Sequence, residues 1–321
     1  MADVMIRPTS NARPAWLSTS LQVGLPAVAL VLMLAVIFWI RPTAMSYFGF
    51  TLLFKLATPL VLAALAQMLI IMLGDIDLSN GAFVGLITCI TALHLGTNPL
   101  LAIALYLVAI VVYAGVGLLI QARQLPSIIV TLGMSFIWLG TAIIILPSPG
   151  GAAPGWLAGF MNWRPPFVPL PILLAIFAAI LGHFVITRSS YGAILRGAGS
   201  NPRAIERASW STTRIRVMVY AAAGLLACLS GITLTGLTTA GDPNVAPAYT
   251  LLGVGAVILG GGSFNGGIVS PVGTVIGALT LSLAGSLLSF LQVPPTWQIG
   301  AQGGILFLVL AGRVLLSEKK S

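Results

Sequence analysis

The sequence predicts an all-α integral membrane protein with about ten transmembrane helices, and three observations carry that prediction. With 58% hydrophobic and 7% charged residues and a mean hydropathy of +1.06 over 321 residues, the chain has too little polar surface to coat a soluble globule. Its apolar residues come in runs separated by short segments that hold most of the Arg, Pro and Asn. Such runs suit repeated crossings of a hydrocarbon core about 30 Å thick. Only helices or closed barrels can span that core. Barrel strands would alternate apolar and polar residues over about ten positions, whereas Leu21 to Ile40 is almost unbroken apolar sequence.

Taken in order, the apolar runs place spans at 21–40, 57–73, 80–96, 99–120, 127–146, 168–186, 216–238, 248–262, 268–291 and 296–315. The first run is longer than a signal-peptide core, and no small-x-small site follows it closely, so it is read as an uncleaved span. Twelve of the fifteen basic residues fall in four places. These are the N-terminal tail (Arg7, Arg13), the Arg123 loop, the loop from Arg188 to Arg216, and the C-terminal tail (Arg313, Lys319, Lys320). The positive-inside rule assigns all four to the cytoplasm, and ten spans do leave both termini on one side. The domains are therefore a cytoplasmic tail at 1–20, one transmembrane domain at 21–315 with a cytoplasmic loop at 187–215, and a cytoplasmic tail at 316–321.

A formal charge of +9 raises the question of nucleic-acid binding. The arginines instead sit between spans, without interleaved aromatics, so nucleic acid is not expected as a partner. Cys89 and Cys228 lie inside spans as small apolar side chains, and no disulfide is predicted. Small residues four apart, such as Ala223, Ala227 and Gly231, or Gly273 and Gly277, or Gly300 and Gly304, permit close helix contact. Leu73-Gly74 leads to Asn80-Gly81 much as Leu259-Gly260 leads to Asn265-Gly266, a weak internal repeat of the kind transporters carry.

Three segments hold the polar chemistry. Gly74-Asp75-Ile76-Asp77-Leu78-Ser79-Asn80-Gly81 contains two of the six acidic residues. Carboxylates at membrane depth are costly and mark function. Asp75 and Asp77 either contact a substrate or ion, or Asp77 or Ser79 caps the next helix. In the long loop, Ser200-Asn201-Pro202 supplies a cap and a first-turn proline for a short helix from Pro202 to Ser209. That helix could dock a partner, rest on anionic headgroups, or do no more than fix topology with its arginines. The glycine-rich run Gly260 to Gly267 lacks the Gly-Lys-Ser/Thr of a phosphate loop, so this chain is not expected to hydrolyse ATP by itself. His94 and His183 stand alone, no ligand spacing makes a metal site, and no catalytic residue is assigned.

These segments resemble the permease subunits of ribose-type ABC sugar importers. The family's Gly-Gly-Ile-Asp-Leu-Ser-Val-Gly is matched by Gly74 to Gly81, its Gly-Gly-Asn-Pro-Glu-Ala-Ala by Gly199 to Ile205, and its Tyr-Glu-Leu-Asp…Ile-Gly-Gly-Thr-Ser by Tyr249-Thr250-Leu251-Leu252 running on to Leu259-Gly260-Gly261-Gly262-Ser263. The resemblance implies the ABC importer permease fold in the cell inner membrane, and it implies sugar transport. Its partners would be a second permease copy, identical or paralogous, a cytoplasmic ATPase dimer holding ATP and magnesium, a periplasmic or lipid-anchored sugar-binding protein, and membrane lipids. No cofactor is expected on this chain. Gly199, Asn201, Pro202, Arg203, Ala204, Glu206 and Arg207 would couple to the ATPase. Gly74, Asp75, Asp77, Ser79, Asn80, Gly81, Gln67, Gly260, Gly261, Trp297 and Gln298 would form the pathway and its motifs. A neutral polyol asks for hydroxyl-directed hydrogen bonds and aromatic faces rather than a buried ion pair. Thr250, Leu252 and Arg203 replace acidic residues of the family pattern, which leaves a homodimer or a heterodimer open. The rival readings are a permease of the branched-chain amino-acid type, an ion-coupled secondary transporter using Asp75 and Asp77, and a membrane-embedded enzyme.

Overall fold

The computed structural model describes residues 15–294 and, beyond them, only Trp297, Gly300, Gly303, Gly304 and Phe307. The predicted tenth span at 296–315 and the tail basic residues fall almost wholly outside the described residues. Within them the chain forms α1 (Ala15–Ile40), a 3-10 turn (Pro42–Met45), α2 (Tyr47–Leu53), α3 (Ala57–Met72), α4 (Asn80–Ile90), α5 (Pro99–Arg123), α6 (Ser127–Ile145) and α7 (Gly155–Met161). It continues through α8 (Leu170–Gly182), α9 (Ser190–Ser200), α10 (Pro202–Arg207), α11 (Thr212–Thr238), α12 (Pro247–Leu259) and α13 (Pro271–Phe290). α4 and α8 are prolonged by π-helical turns at Thr91–Leu95 and His183–Arg188.

Local chemistry sets the boundaries. Asn98, Asn201 and Ser270 stand directly before prolines 99, 202 and 271, and their side chains accept from the N–H groups of Leu101, Ala204 and Gly273. A capping oxygen followed by a residue that needs no N–H partner is an efficient start for a helix. Ser189 and Ser211 cap α9 and α11 in the same way. α10 ends before the predicted Ser209 because that residue turns into the left-handed region at φ 63°. α2, α7 and α9 are short helices that apolar periodicity did not predict, and α1 and α11 begin earlier than expected.

Five helices are long and apolar enough to cross a membrane: α5, α6, α8 with its π turn, α11 and α13. A sixth crossing results if α2 and α3, bent by 42°, are taken as one span. The runs predicted at 80–96 and 248–262 form shorter helices. α4 with its π turn has 16 residues and α12 has 13, about 24 and 20 Å at 1.5 Å per residue. Irregular chain at residues 73–79 and 239–246 precedes each of them. The ten-crossing count is therefore not established by helix length alone.

α3 occupies the centre. It is apolar all round, with every residue but Leu62 buried, and it packs against α4, α8, α11, α12 and α13. The outer helices keep large apolar side chains exposed, among them Ile129, Phe136 and Ile144 on α6 and Leu107 and Val111 on α5. Such a surface suits lipid or another membrane chain.

Candidate functional site

Non-helical backbone at membrane depth persists only where protein satisfies its N–H and C=O groups. Residues 73–79 meet that condition while folding back along α3. Asp75 N–H donates to the Ile70 carbonyl at 3.3 Å. The Gln67 amide, oriented so that donors face acceptors, brackets the backbone of Asp77 with two bonds of 3.2 Å. Asn80 Nδ2 donates to the Ala63 carbonyl at 2.9 Å. Contacts at 70, 67 and 63 show the chain climbing from the end of α3 to its middle before α4 starts. From α6, Ser127 Oγ accepts from Ile76 N–H at 3.2 Å and Thr131 Oγ1 from Leu78 N–H at 3.0 Å.

The two carboxylates are held from separate helices. Asp77, 1% exposed, accepts from the Tyr113 hydroxyl of α5 through Oδ2 and from Ser79 N–H and Oγ, each at 2.7 Å, through Oδ1. Asp75 accepts from the Tyr220 hydroxyl of α11 at 3.2 Å and pairs with Arg216 Nε at 3.4 Å, the one ion pair among the described residues. Phe83 and Trp138 complete an aromatic wall, with Phe83 4.8 Å from Tyr113 and 5.2 Å from Trp138 between ring centroids. Neither Asp77 nor Ser79 caps α4. The Ser79 hydroxyl is spent on Asp77, and the cap position carries no side-chain bond.

The second irregular segment descends from the opposite end of the bundle. Gly241 pairs with Gly150 through two backbone bonds of 3.0 and 2.9 Å. Asp242 N–H donates to Thr88 Oγ1 at 3.2 Å, and the Pro243 and Ala246 carbonyls press on Gly85 and Gly81. α12 then starts beside α4, where Thr250 Oγ1 accepts from Gly81 N–H at 2.9 Å. Two irregular segments, entering from opposite ends, thus lead α4 and α12 to join their first turns inside the bundle. A cleft of about 200 Å³ runs from that junction to the surface of the chain between Leu78, Ala82, Ser135, Phe136, Asn244 and Thr250, with Phe136 and Asn244 at its exposed mouth. A larger, mostly apolar groove of about 580 Å³ runs between α2, α3, α12 and α13, bordered by Lys55, Tyr249, Leu252 and Ser282.

The glycine-rich segment closes on itself. Gly262 N–H donates to the Val257 carbonyl at 2.8 Å and Ser263 N–H to that of Ile268 at 3.0 Å, while Gly260 packs on the backbone of Gly273. It then meets the end of α3, because Gly267 N–H donates to the Met72 carbonyl at 2.8 Å. Gly199, near the end of α9, lies on that same carbonyl. All three motif segments of the sequence therefore converge at the arginine-rich end of the bundle. Beyond Gly199, α10 is anchored to the core through Ile205 and leaves Arg203, Ala204 and Arg207 exposed, with Glu206 Oε1 accepting from Thr212 at 2.7 Å. Gly260 and Gly261 are buried. Trp297 is 72% exposed, and Gln298 lies outside the described residues.

Gln67 and Asn80 are fully buried, and their amides bond backbone. Among the described residues no three His, Cys, Asp or Glu side chains come together as metal ligands. Sequence reasoning missed Tyr113, Tyr220, Ser127, Thr131 and Arg216. A tyrosine within an apolar span is a signal, since a buried hydroxyl seeks a partner, and Ser127 and Thr131 share a helix face at i, i+4.

Residues 48–310 match the family described as "Branched-chain amino acid transport system / permease component". The chain is 29% identical over 266 residues to the ribose import permease protein of Bacillus subtilis, covering 81% of each. It is 26% identical over 301 residues to the ribose import permease protein of Escherichia coli (strain K12), covering 91% of this chain and 92% of that one. It is 27% identical over 275 residues to the D-allose transport system permease protein of the same organism, covering 84% of each. No solved structure matches.

Proposed function

Since the chain belongs to the family of branched-chain amino acid transport system / permease components, we propose that it is the membrane-spanning permease subunit of an ABC importer that carries a sugar across the inner membrane. The observation that carries the reading is similarity over more than four fifths of the chain to permeases named for ribose and D-allose. The protein is a multi-pass membrane protein of transport. On this reading it crosses ten times with both termini in the cytoplasm, the arginine-rich end facing inward. A second permease copy completes the pathway, a cytoplasmic ATPase pair holds ATP and magnesium, and a sugar-binding protein delivers substrate at the outer face.

Asn201, Pro202, Arg203, Ala204, Glu206 and Arg207 form the ATPase-coupling face, which the exposure of α10 supports, while Gly199 packs behind that face on the end of α3 and does not itself meet the ATPase. Gly74, Asp75, Asp77, Ser79, Asn80, Gly81 and Gln67 act as scaffold around the pathway, with Gly260 and Gly261 turning the chain beneath it. Trp297 and Gln298 line it. The cavity between the first turns of α4 and α12 is where a small polyol would pass, offering the hydroxyl of Ser135, the amide of Asn244 and the ring of Phe136. No formal charge borders that cavity, which suits a neutral substrate better than an amino acid. An ion-coupled mechanism would need Asp75 or Asp77 to exchange partners, and both are already engaged by tyrosines, with Asp75 also paired to Arg216.

The test is purification from the native membrane followed by reconstitution. An ATP-binding subunit should co-purify, and uptake of a sugar should require ATP inside the cell-equivalent compartment together with the binding protein outside. Uptake by the chain alone, driven by a proton or sodium gradient, would refute the proposal. Arg203→Glu and Glu206→Arg should weaken ATPase association without preventing membrane insertion.

A further inference from the structure

Resting on that permease reading, we infer that Met72, Gly199, Gly266 and Gly267 form a rigid backbone splice that passes movement of α9 and α10 into segment 74–79, and so to the first turns of α4 and α12. The contact contains almost no side chain. Met72 ends α3, and its carbonyl is one of the acceptors a helix end leaves unmatched. Gly267 N–H satisfies it at 2.8 Å, and Gly199 of α9 sits so close that a Cβ there would overlap the same oxygen. Gly266 and Gly267 adopt φ of +77° and +75°, open to glycine at little cost. A Cβ at Gly267 would lie 2.6 Å from that of Ser200, and one at Gly266 would lie 2.7 Å from the Gly199 carbonyl oxygen and 3.1 Å from Gly74 N.

Three stretches of chain thus touch backbone to backbone. Side-chain contacts absorb displacement by hopping between rotamers, whereas close-packed backbone has no such slack and transmits strain. On one side of the splice, α10 leads away with exposed Arg203 and Arg207. On the other, segment 74–79 is pinned by Ser127, Thr131, Tyr113 and Tyr220, so that a push at Gly74 cannot dissipate locally. It arrives instead at Asn80 and Gly81, where the bond to Thr250 ties in α12. Gly197, on the same helix, differs. A Cβ there meets only the tip of Ile205, its Cδ1 at 2.8 Å, which can swing aside.

The experiment uses the complete transporter, permease with its ATPase and binding protein, in liposomes. For Gly199→Ala the ATPase should still co-purify and hydrolyse ATP within about twofold of wild type, while sugar taken up per ATP falls about tenfold, in the range of coupling between linked sites. Gly197→Ala should leave both quantities unchanged. Coupled uptake by folded Gly199→Ala, or an equal loss in Gly197→Ala, would overturn the splice. Should Gly199→Ala fail to fold, a second measurement decides without it. Spin labels at Ser200→Cys and Asn265→Cys, both exposed positions, should keep one separation with and without bound ATP. A separation that changes with nucleotide would overturn the inference. Failure of any ATPase to accompany even the wild-type permease would refute the permease reading itself, a result distinct from either outcome.

Discussion

The ion pair between Arg216 and Asp75 should be coupled strongly enough to appear in a double-mutant cycle. Its atoms are 3.4 Å apart, with the side chains 22% and 11% exposed. At an effective dielectric near 20 the bare attraction at this distance is about 5 kcal/mol, an upper bound that desolvation of both ions largely offsets. Removing one partner is a different perturbation. In Arg216→Gln the Asp75 carboxylate stays in place, sheltered and left with the hydroxyls of Tyr220 and Ser127. The loss of a buried partner typically costs 3–5 kcal/mol, and partial exposure at this site reduces that to about 2 kcal/mol. Asp75→Asn should cost about the same, and the double variant should recover roughly 1–2 kcal/mol of the summed loss, as neighbours in one network do. Thermal unfolding of the detergent-solubilised protein, followed by tryptophan fluorescence, would show midpoints about 4 °C lower for each single variant, at roughly 2 °C per kcal/mol. Strict additivity of the two losses would refute the pair as an energetic unit and leave Asp75 held by the Tyr220 and Ser127 hydroxyls.

Thr131→Val keeps shape but removes the acceptor for Leu78 N–H, and should destabilise by about 1–3 kcal/mol in the same assay because a sheltered donor is orphaned. Tyr113→Phe strips the one donor on Asp77 Oδ2, with a loss of about 2–3 kcal/mol, since bonds to charged groups are the stronger ones. Asn201→Ala removes the cap of a six-residue helix that is otherwise exposed; about 1 kcal/mol of local stability should go. Weaker retention of the ATPase subunit during purification is the expected sign, with the unfolding midpoint unmoved. Thr250→Val should lower the midpoint and slow transport by leaving Gly81 N–H unmatched, whereas Thr250→Ser should behave as wild type.

Apolar runs located eight of the helices, π turns included, to within four residues at each end, and α1 to within six, because burial in lipid and burial in protein select the same side chains. The same equivalence explains what stayed hidden. The run at 248–262 reads like any other span, yet only Pro247–Leu259 is helical, and nothing in its hydropathy distinguishes a full crossing from one that begins partway through the bundle. The proline at 247 is a start signal, but it does not say at what depth the start lies. Short helices such as α7 and α9 escape notice because their stability comes from packing, and in α9 from the Ser189 cap, rather than from a long apolar face. In the site, Asp75 and Asp77 stood out for their cost at depth. Apart from Ser79 beside Asp77, the Asp77 and Asp75 partners Tyr113 and Tyr220 lie 36 and 145 residues away, and no spacing rule reaches that far.

The weak similarity between the loops after Leu73 and Leu259 has a physical counterpart in the structure. Both are turns at the arginine-rich end, both contain glycine in the left-handed region, and they meet each other at Gly74 and Gly266. Two turns packed against each other face the same demand for small residues, and that contact by itself favours likeness. The replaced acid at 250 fits the same reasoning. What the junction of α4 and α12 needs from residue 250 is an acceptor for Gly81 N–H, and the threonine hydroxyl supplies one. An acidic side chain would supply the bond too, but would add a charge beside a cavity otherwise lined by neutral groups. Thr250 therefore preserves the joint without placing a carboxylate beside that cavity.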